Sequence, residues 1–216
     1  MKSIINTNEL LQQLYTQLRS HFLLSKEEES CIEQVLDCVL ERCEKNFTAS
    51  DSKYYHLESG EIIFNPYHSV QYMVFLYYLS NELYKQQKPS ILCDKVYYLN
   101  KIMNGVDLFY AIELPEVFSA EHPVGSVMGR AKYGDGFSFY QGCTVGGTGV
   151  LGYEKYPIVG KNVTLYANSS ILGECNIGNN VDLGAGAIVK NQDVPADSIV
   201  FGESPNLKIV PKNCKL

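Results

Sequence analysis

The chain has no tryptophan and only four histidines, His21, His56, His68 and His122. So few imidazoles, spread so widely, make a metal centre built on histidine a poor expectation. Basic charge is also short. Eighteen Lys and Arg face 24 Asp and Glu, for a net charge of -6. No basic stripe is visible, which argues against a nucleic-acid backbone as partner. Long hydrophobic runs are missing too. The longest, Tyr72 to Leu79, is too short to span a bilayer. The N-terminal MKSIINTNELLQQL has no uninterrupted apolar core, so a signal peptide is not expected. The seven cysteines (Cys31, Cys38, Cys43, Cys93, Cys143, Cys175 and Cys214) are odd in number and include no Cys-X-X-Cys pair. Free thiols serving as small apolar residues in a cytoplasmic protein are the simplest account, and a cysteine nucleophile is disfavoured. No GxxxxGK followed by Ser or Thr occurs, so no phosphate loop of that kind is present.

What is present is a period of six between Val127 and Val189. Val127, Tyr133, Phe139 and Val145 form one register, and Val159, Leu165, Ile171, Ile177, Leu183 and Val189 a second. The step between the registers is 14 residues rather than 12, so extra chain loops out between Gly146 and Pro157. Four residues after each apolar position comes a mostly small one, among them Ala131, Cys143, Ser169, Cys175 and Ala187. A helix repeats at 3.6 and a strand at 2, so neither explains six. A short strand plus a tight corner does, with glycine supplying the corner dihedrals. Stacked units of this kind form a parallel β-solenoid.

Before the repeats the chain reads as helical. Leu10, Leu11, Leu14 and Leu18 share a helical face, and Ser25 with Glu28 forms a capping box opening a stripe of Ile32, Val35, Leu36, Val39, Leu40 and Cys43. Residues 47–64 read as a linker or loop. Pro66 suits the first turn of a third helix running to about Lys85. Its many aromatics predict burial on several sides, with a membrane-surface helix the lesser alternative. A fourth helix, Ser90 to Asn104, is closed by Gly105. From Asp107 short strands begin. The predicted organisation is α+β: an α-helical domain over 1–105, a β-helix over 106–190 with the loop 146–157 protruding, and a terminal cap over 191–216 that covers the open last coil.

Three places could carry chemistry. His122, in EHPVGSVMG, titrates near neutrality and can act as a base. The loop GGTGVLGYEKYP (146–157) presents Glu154, Lys155 and Tyr156. Lys190 and Lys208, near the end, could hold a phosphate-bearing ligand, though exposed lysines commonly serve solubility alone.

Taken together, the repeats, the HPVG segment, the GGTG loop and the GxxP closing segment resemble the hexapeptide-repeat acyltransferases, and among them the serine acetyltransferases and their sugar-modifying relatives. YHSVQ at Tyr67–Gln71 is similar to a helical FHALQ-like stretch of that family. The resemblance implies a left-handed parallel β-helix, a homotrimer with active sites in grooves between subunits, and acetyl-CoA as co-substrate without a metal. Pairing of trimers through the helical half stays open. The family's DHATG-type segment matches Glu121–Gly125, which implies His122 as the catalytic base. Its GVDIH-type segment matches Gly105–Phe109, which implies Asp107 as the orienting carboxylate. It further implies an oxyanion donor near Gly146 and Gly147, and acetyl-CoA lying near Ala167, Ala185 and Gly186, with Lys190 and Lys208 toward its phosphates.

The acceptor side departs from the family pattern. Serine acetyltransferases resemble GGTGKSGGDRHPKI in the loop, where an Arg-His pair helps hold the carboxylate of serine. Here Lys155 and Tyr156 stand in those places, and Glu121 replaces the aspartate beside the histidine. Lysine meets a carboxylate only as a point charge, and tyrosine suits a sugar hydroxyl. A saccharide acceptor, such as a capsule or lipopolysaccharide building block, is therefore expected ahead of L-serine, with an amino-sugar nitrogen behind both. A non-catalytic assembly module is the reading of a different class.

Overall fold

A computed structural model describes residues 1–50, 53–149 and 153–212. Residues 150–152 of the protruding loop, and Cys214 with its neighbours in 213–216, lie outside the described residues. The chain divides into two units. One comprises Met1–Asn104 with Phe109–Ala111, the other Gly105–Leu108 with Ile112–Leu216.

The first unit holds four helices: α1 (Thr7–His21), α2 (Lys26–Thr48), α3 (Ser69–Lys85) and α4 (Ser90–Asn104). Asn6 with Glu9 and Ser25 with Glu28 form reciprocal capping boxes, so the first two helices start where their side chains satisfy the free N–H groups. Leu10, Leu14 and Leu18 of α1 and Ile32, Val35, Leu36, Val39 and Cys43 of α2 are buried, as the stripes predict. The aromatic helix α3 is buried on nearly all sides. Phe75, Tyr77 and Tyr78 are fully enclosed, whereas Tyr67 and Tyr84, at its flanks, are exposed. The Tyr78 hydroxyl receives a hydrogen bond from Asn46 at 3.0 Å, so its polar end is satisfied inside the core.

Two expectations for this unit are corrected. The third helix begins at Ser69, not at Pro66. Pro66 instead occupies the second position of a turn closed by His68 N–H donating to the Asn65 carbonyl at 2.9 Å, where its fixed φ is equally suited. His68 then caps the helix by accepting from Gln71 N–H. The stretch 47–64 is not plain linker. α2 runs through Thr48, a 3₁₀ turn spans Lys53–Tyr55, and β2 (Ile63–Phe64) pairs in parallel with β1 (Lys2–Ser3). Strands of two residues leave no alternation to read.

The second unit is a parallel β-helix with three faces. One face stacks β3 (Asp107–Leu108), β5 (Val127–Met128), β8 (Thr144–Gly146), β11 (Ser170–Leu172) and β14 (Ile188–Lys190). A second stacks β4 (Phe118–Ala120), β7 (Phe137–Phe139), β10 (Thr164–Leu165), β13 (Asp182–Leu183) and β15 (Ser198–Phe201). The third stacks β6 (Lys132–Tyr133), β9 (Ile158–Val159) and β12 (Asn176–Ile177). Bulky residues meet in register down the axis: Phe139, Leu165, Leu183 and Val200 on the second face, Val145, Ile171 and Val189 on the first. The small positions Cys143, Ser169, Cys175 and Ala187 are buried beside the corners, as the repeat demands.

The register starts one residue later than the sequence suggests. Met128, not Val127, aligns with Val145 and is buried, while Val127 is 39% exposed. The step from Met128 to Tyr133 is five residues, where the later steps, such as Ile171 to Ile177, are six. The Tyr133 hydroxyl, donating to the Gly129 carbonyl at 2.7 Å, spans this shorter step. Parallel pairing also continues past residue 190, where the repeat was expected to end. β15 adds to β13 in parallel, and β16 (Lys208–Pro211) then pairs antiparallel along β15.

Glycines are required where coils touch. A Cβ on Gly134 would lie 2.5 Å from the Gly160 carbonyl carbon, and one on Gly160 would lie 2.7 Å from that of Gly178. No rotamer change relieves a clash with backbone. Gly160→Ala is expected to cost about 1–3 kcal/mol, read as a lower urea midpoint with an unchanged slope. A midpoint equal to that of the unaltered chain would contradict the close coil contact.

Candidate active site

His122 sits in a turn between β4 and β5, with φ +50 and Val124 N–H donating back to its carbonyl at 2.7 Å. Every other non-glycine residue with positive φ described in this unit is Asn or Asp, which with His are the types enriched in this region. A histidine held there is strained, and such strain persists only where neighbours over-determine it. Buried Pro123 follows it, while Glu121 and His122 themselves are exposed.

The neighbouring coil brings Asp107 alongside. Asp107 N–H donates to Ser126 O at 2.8 Å, Gly125 N–H donates to Gly105 O at 2.8 Å, and Asp107 pairs with Val127 in register. The strand carrying the carboxylate thus lies directly against the segment that follows the histidine. Among the described residues, His122 makes no side-chain hydrogen bond, so the two side chains are not joined. Ser126, which sequence reading did not single out, ties this turn together. Its hydroxyl donates to Tyr140 O at 2.6 Å and accepts from Cys143 N–H at 3.1 Å.

Above Glu121 the outward positions of the second face carry Tyr140 and then Tyr166, whose rings lie 5.2 Å apart at 31°. Partial burial pushes the Tyr140 hydroxyl above its ordinary pKa, and the Glu121 charge and Tyr166 add to the shift. The next turn places Gly184 in this column, with the Phe201 ring over it, 2.7 Å from where a Cβ would stand.

The loop 146–157 leaves and returns through one antiparallel bridge. Thr148 N–H donates to Lys155 O at 3.0 Å and Lys155 N–H to Thr148 O at 2.9 Å. Neither acceptor candidate on this loop projects alone. The Lys155 ammonium pairs with Glu174 at 3.1 Å, and the Tyr156 hydroxyl accepts from Arg130 Nη1 at 3.3 Å. The Tyr156 ring covers Gly147, within 2.7 Å of where a Cβ would be, while a Cβ on Gly146 would meet only open space. Gly146 therefore keeps the open approach expected of both glycines, and Gly147 has lost it on one side.

Of the residues assigned to acetyl-CoA, Ala167 and Gly186 come together, with Gly186 N–H donating to Ala167 O at 2.9 Å. Ala185 and Gly186 are exposed, and nothing occupies the space beside Gly186. Lys190 borders a groove of about 290 Å³ with Asn191, Gln192, Ser204 and Pro205. Its backbone N–H donates to Ser204 Oγ at 3.0 Å. Lys208 lies on β16, opposite Phe201, and so on a different face from Lys190. Among the described residues no group of three or more His, Cys, Asp or Glu side chains could hold a metal ion. Among the described residues no helix is long and apolar enough to cross a membrane.

Arg130 was also missed at the level of sequence. It is the one arginine after residue 42, a signal that becomes meaningful only when the coil sets it against the loop.

Known proteins resemble this chain in sequence and in fold. Residues 156–191 match the family described as bacterial transferase hexapeptide (six repeats). A serine acetyltransferase of Synechococcus elongatus is 36% identical over 121 residues, which cover 56% of this chain and 49% of that protein. The chain thus spans about half the length of this relative. Among solved structures, the Neisseria gonorrhoeae serine acetyltransferase superposes with a TM-score of 0.68 at 25% identity, covering 87% of this chain and 72% of that one. A serine acetyltransferase in complex with CoA superposes with a TM-score of 0.65 at 20% identity, covering 85% and 74%. The chain is serine acetyltransferase-like in sequence over more than half its length and in fold over most of it.

Proposed function

We propose that this serine acetyltransferase-like, hexapeptide-repeat chain is an O-acetyltransferase that moves the acetyl group of acetyl-CoA to the hydroxyl of L-serine. The observation that carries the reading is the strained, exposed His122 turn with the Asp107 strand hydrogen-bonded against it. Spending backbone strain on a histidine, where Asn or Asp serves elsewhere in the coil, fits a catalytic demand. In this mechanism His122 removes the proton from the acceptor hydroxyl as its oxygen attacks the thioester carbonyl. The C–O bond forms, the C–S bond breaks, and the proton passes to the departing thiolate. Asp107 orients the imidazole and stabilises its charged form, closing on it once substrate is bound. A backbone N–H of the loop near Gly146 and Gly147 is the source of a donor to the oxyanion. The open strip at Ala185 and Gly186 and the groove beside Lys190 suit the chain and phosphates of acetyl-CoA; Lys208 plays a lesser part.

The relatives are named for serine, and they favour it over the saccharide acceptor expected from the loop residues. The CoA complex of a structural neighbour supports acetyl-CoA as donor. A left-handed winding, a homotrimer, a cleft shared between protomers and β16 as the cap complete the proposal. Thiol release from acetyl-CoA, followed with L-serine and with a panel of sugars, tests it. Turnover is expected with L-serine. Turnover with a sugar alone would restore the saccharide reading, and no turnover with any acceptor, joined to no binding of acetyl-CoA, would favour the assembly module.

A further inference from the structure

We propose that Arg130 is the group that recognises the acceptor's carboxylate. This rests on the serine reading above and identifies a specificity residue within the same site. The loop base and the corner after β5 border an open groove of about 370 Å³, lined by Arg130, Lys132, Glu154, Lys155, Tyr156 and Glu174 among others. The two residues that replace the family's carboxylate-holding pair are already engaged. Lys155 faces Glu174 at 3.1 Å, and Tyr156 offers only a hydroxyl, which faces Arg130.

The guanidinium is well placed to take the task over. It has five N–H donors in a planar fork, and a carboxylate occupies two of them side by side. One Nη1 donor is held by the Tyr156 hydroxyl, and the Tyr156 ring is in turn seated on Gly147, where no Cβ could fit. The cation is therefore aimed before substrate arrives, which lowers the ordering cost of binding. The Tyr156 hydrogen bond, and after it the Glu154 charge, hold Arg130 still more firmly protonated. Glu154 on the same wall supplies the opposite sign, so the groove carries the two charges that a zwitterionic amino acid would meet. A neutral sugar would use neither.

The test compares L-serine with L-serinamide, which keeps the hydroxyl and the amine but lacks the carboxylate. In Arg130→Gln the KM for L-serine is expected to rise about tenfold or more, the range for losing a charged hydrogen-bond partner. The preference for serine over serinamide in kcat/KM falls by the same factor. Arg130→Lys recovers only part of it, because lysine cannot present the fork. If circular dichroism shows that the Gln variant is unfolded, Tyr156→Phe serves instead. Without the hydroxyl that aims the guanidinium, it is expected to lose about two- to fivefold of the same preference. Serine turnover in the unaltered chain, with the folded variant losing serine and serinamide equally or neither, overturns the role of Arg130 alone. Failure of the unaltered chain to acetylate serine overturns the acceptor reading, and this inference with it.

Discussion

His122→Ala is expected to slow acetyl transfer by about 10²–10⁴-fold, the usual range for a general base. That corresponds to about 3–5.5 kcal/mol of barrier. Nothing in the fold depends on this side chain, which is exposed and bonded to no other group among the described residues. Alanine tolerates the positive φ no better than histidine does, so backbone strain stays nearly constant across the substitution. The loss is therefore expected in kcat, with the affinity for CoA held and the thermal midpoint little moved. Thiol release under saturating acetyl-CoA and acceptor, set beside calorimetric binding of CoA, separates these terms. A variant retaining a third or more of the original rate would remove His122 from the chemistry. A histidine needed only for structure would instead lower the midpoint and leave the rate per folded molecule intact.

The second large effect concerns the core of the coil. Phe139→Ala is expected to destabilise by about 3–5 kcal/mol, from lost transfer energy plus a cavity that rigid coils cannot close. Phe139 is fully buried, with the Phe118 ring stacked at 6.4 Å and Phe137 at 5.9 Å. Its backbone pairs with Leu165 on one side and Ala120 on the other, so the strands above and below are pinned by the ladder and cannot slide inward. Against a typical domain stability of about 5–15 kcal/mol, this is a large share. Equilibrium urea unfolding followed by circular dichroism reads it as a lower midpoint. A change below about 1 kcal/mol would mean that the aromatic stack is not the tight core described. The substitution also bears on the site, since the Phe139 carbonyl accepts from Glu121 N–H at 2.9 Å and so helps hold the turn that carries His122.

The extent to which the site was legible follows from which signals are local. His122 and Asp107 were singled out through segments that resemble known motifs, and the coil sets the Asp107 strand against the segment that follows His122. The helix start at Lys26 was readable from its capping residues, because a cap is satisfied within four residues of chain, whereas the like cap before Thr7 was not singled out. The start of α3 was misjudged because Pro66 suits both a helix and a turn, and only the Asn65 side chain and the His68 cap decide between them. Val127 was assigned to the core because valine and methionine are interchangeable in an apolar period. The shortened corner shifted the register by one, and one residue is enough to turn a side chain outward. The pairings at the loop base were least legible. Lys155 and Glu174 are 19 residues apart, Tyr156 and Arg130 are 26, and each pair exists only because successive turns stack its members.

By itself, then, the order of residues determined a helical unit followed by a wound one, since apolar spacing of 3.6 and of six admits few other solutions. It also determined where the protruding loop leaves the coil and which histidine stands apart. Tertiary structure alone decided which charges meet. Whether a lysine is spent on a glutamate one turn away, or an arginine is turned toward a tyrosine on a loop, depends on distances across the stack. Those distances are set by strand pairing about 4.8 Å apart, not by position along the chain.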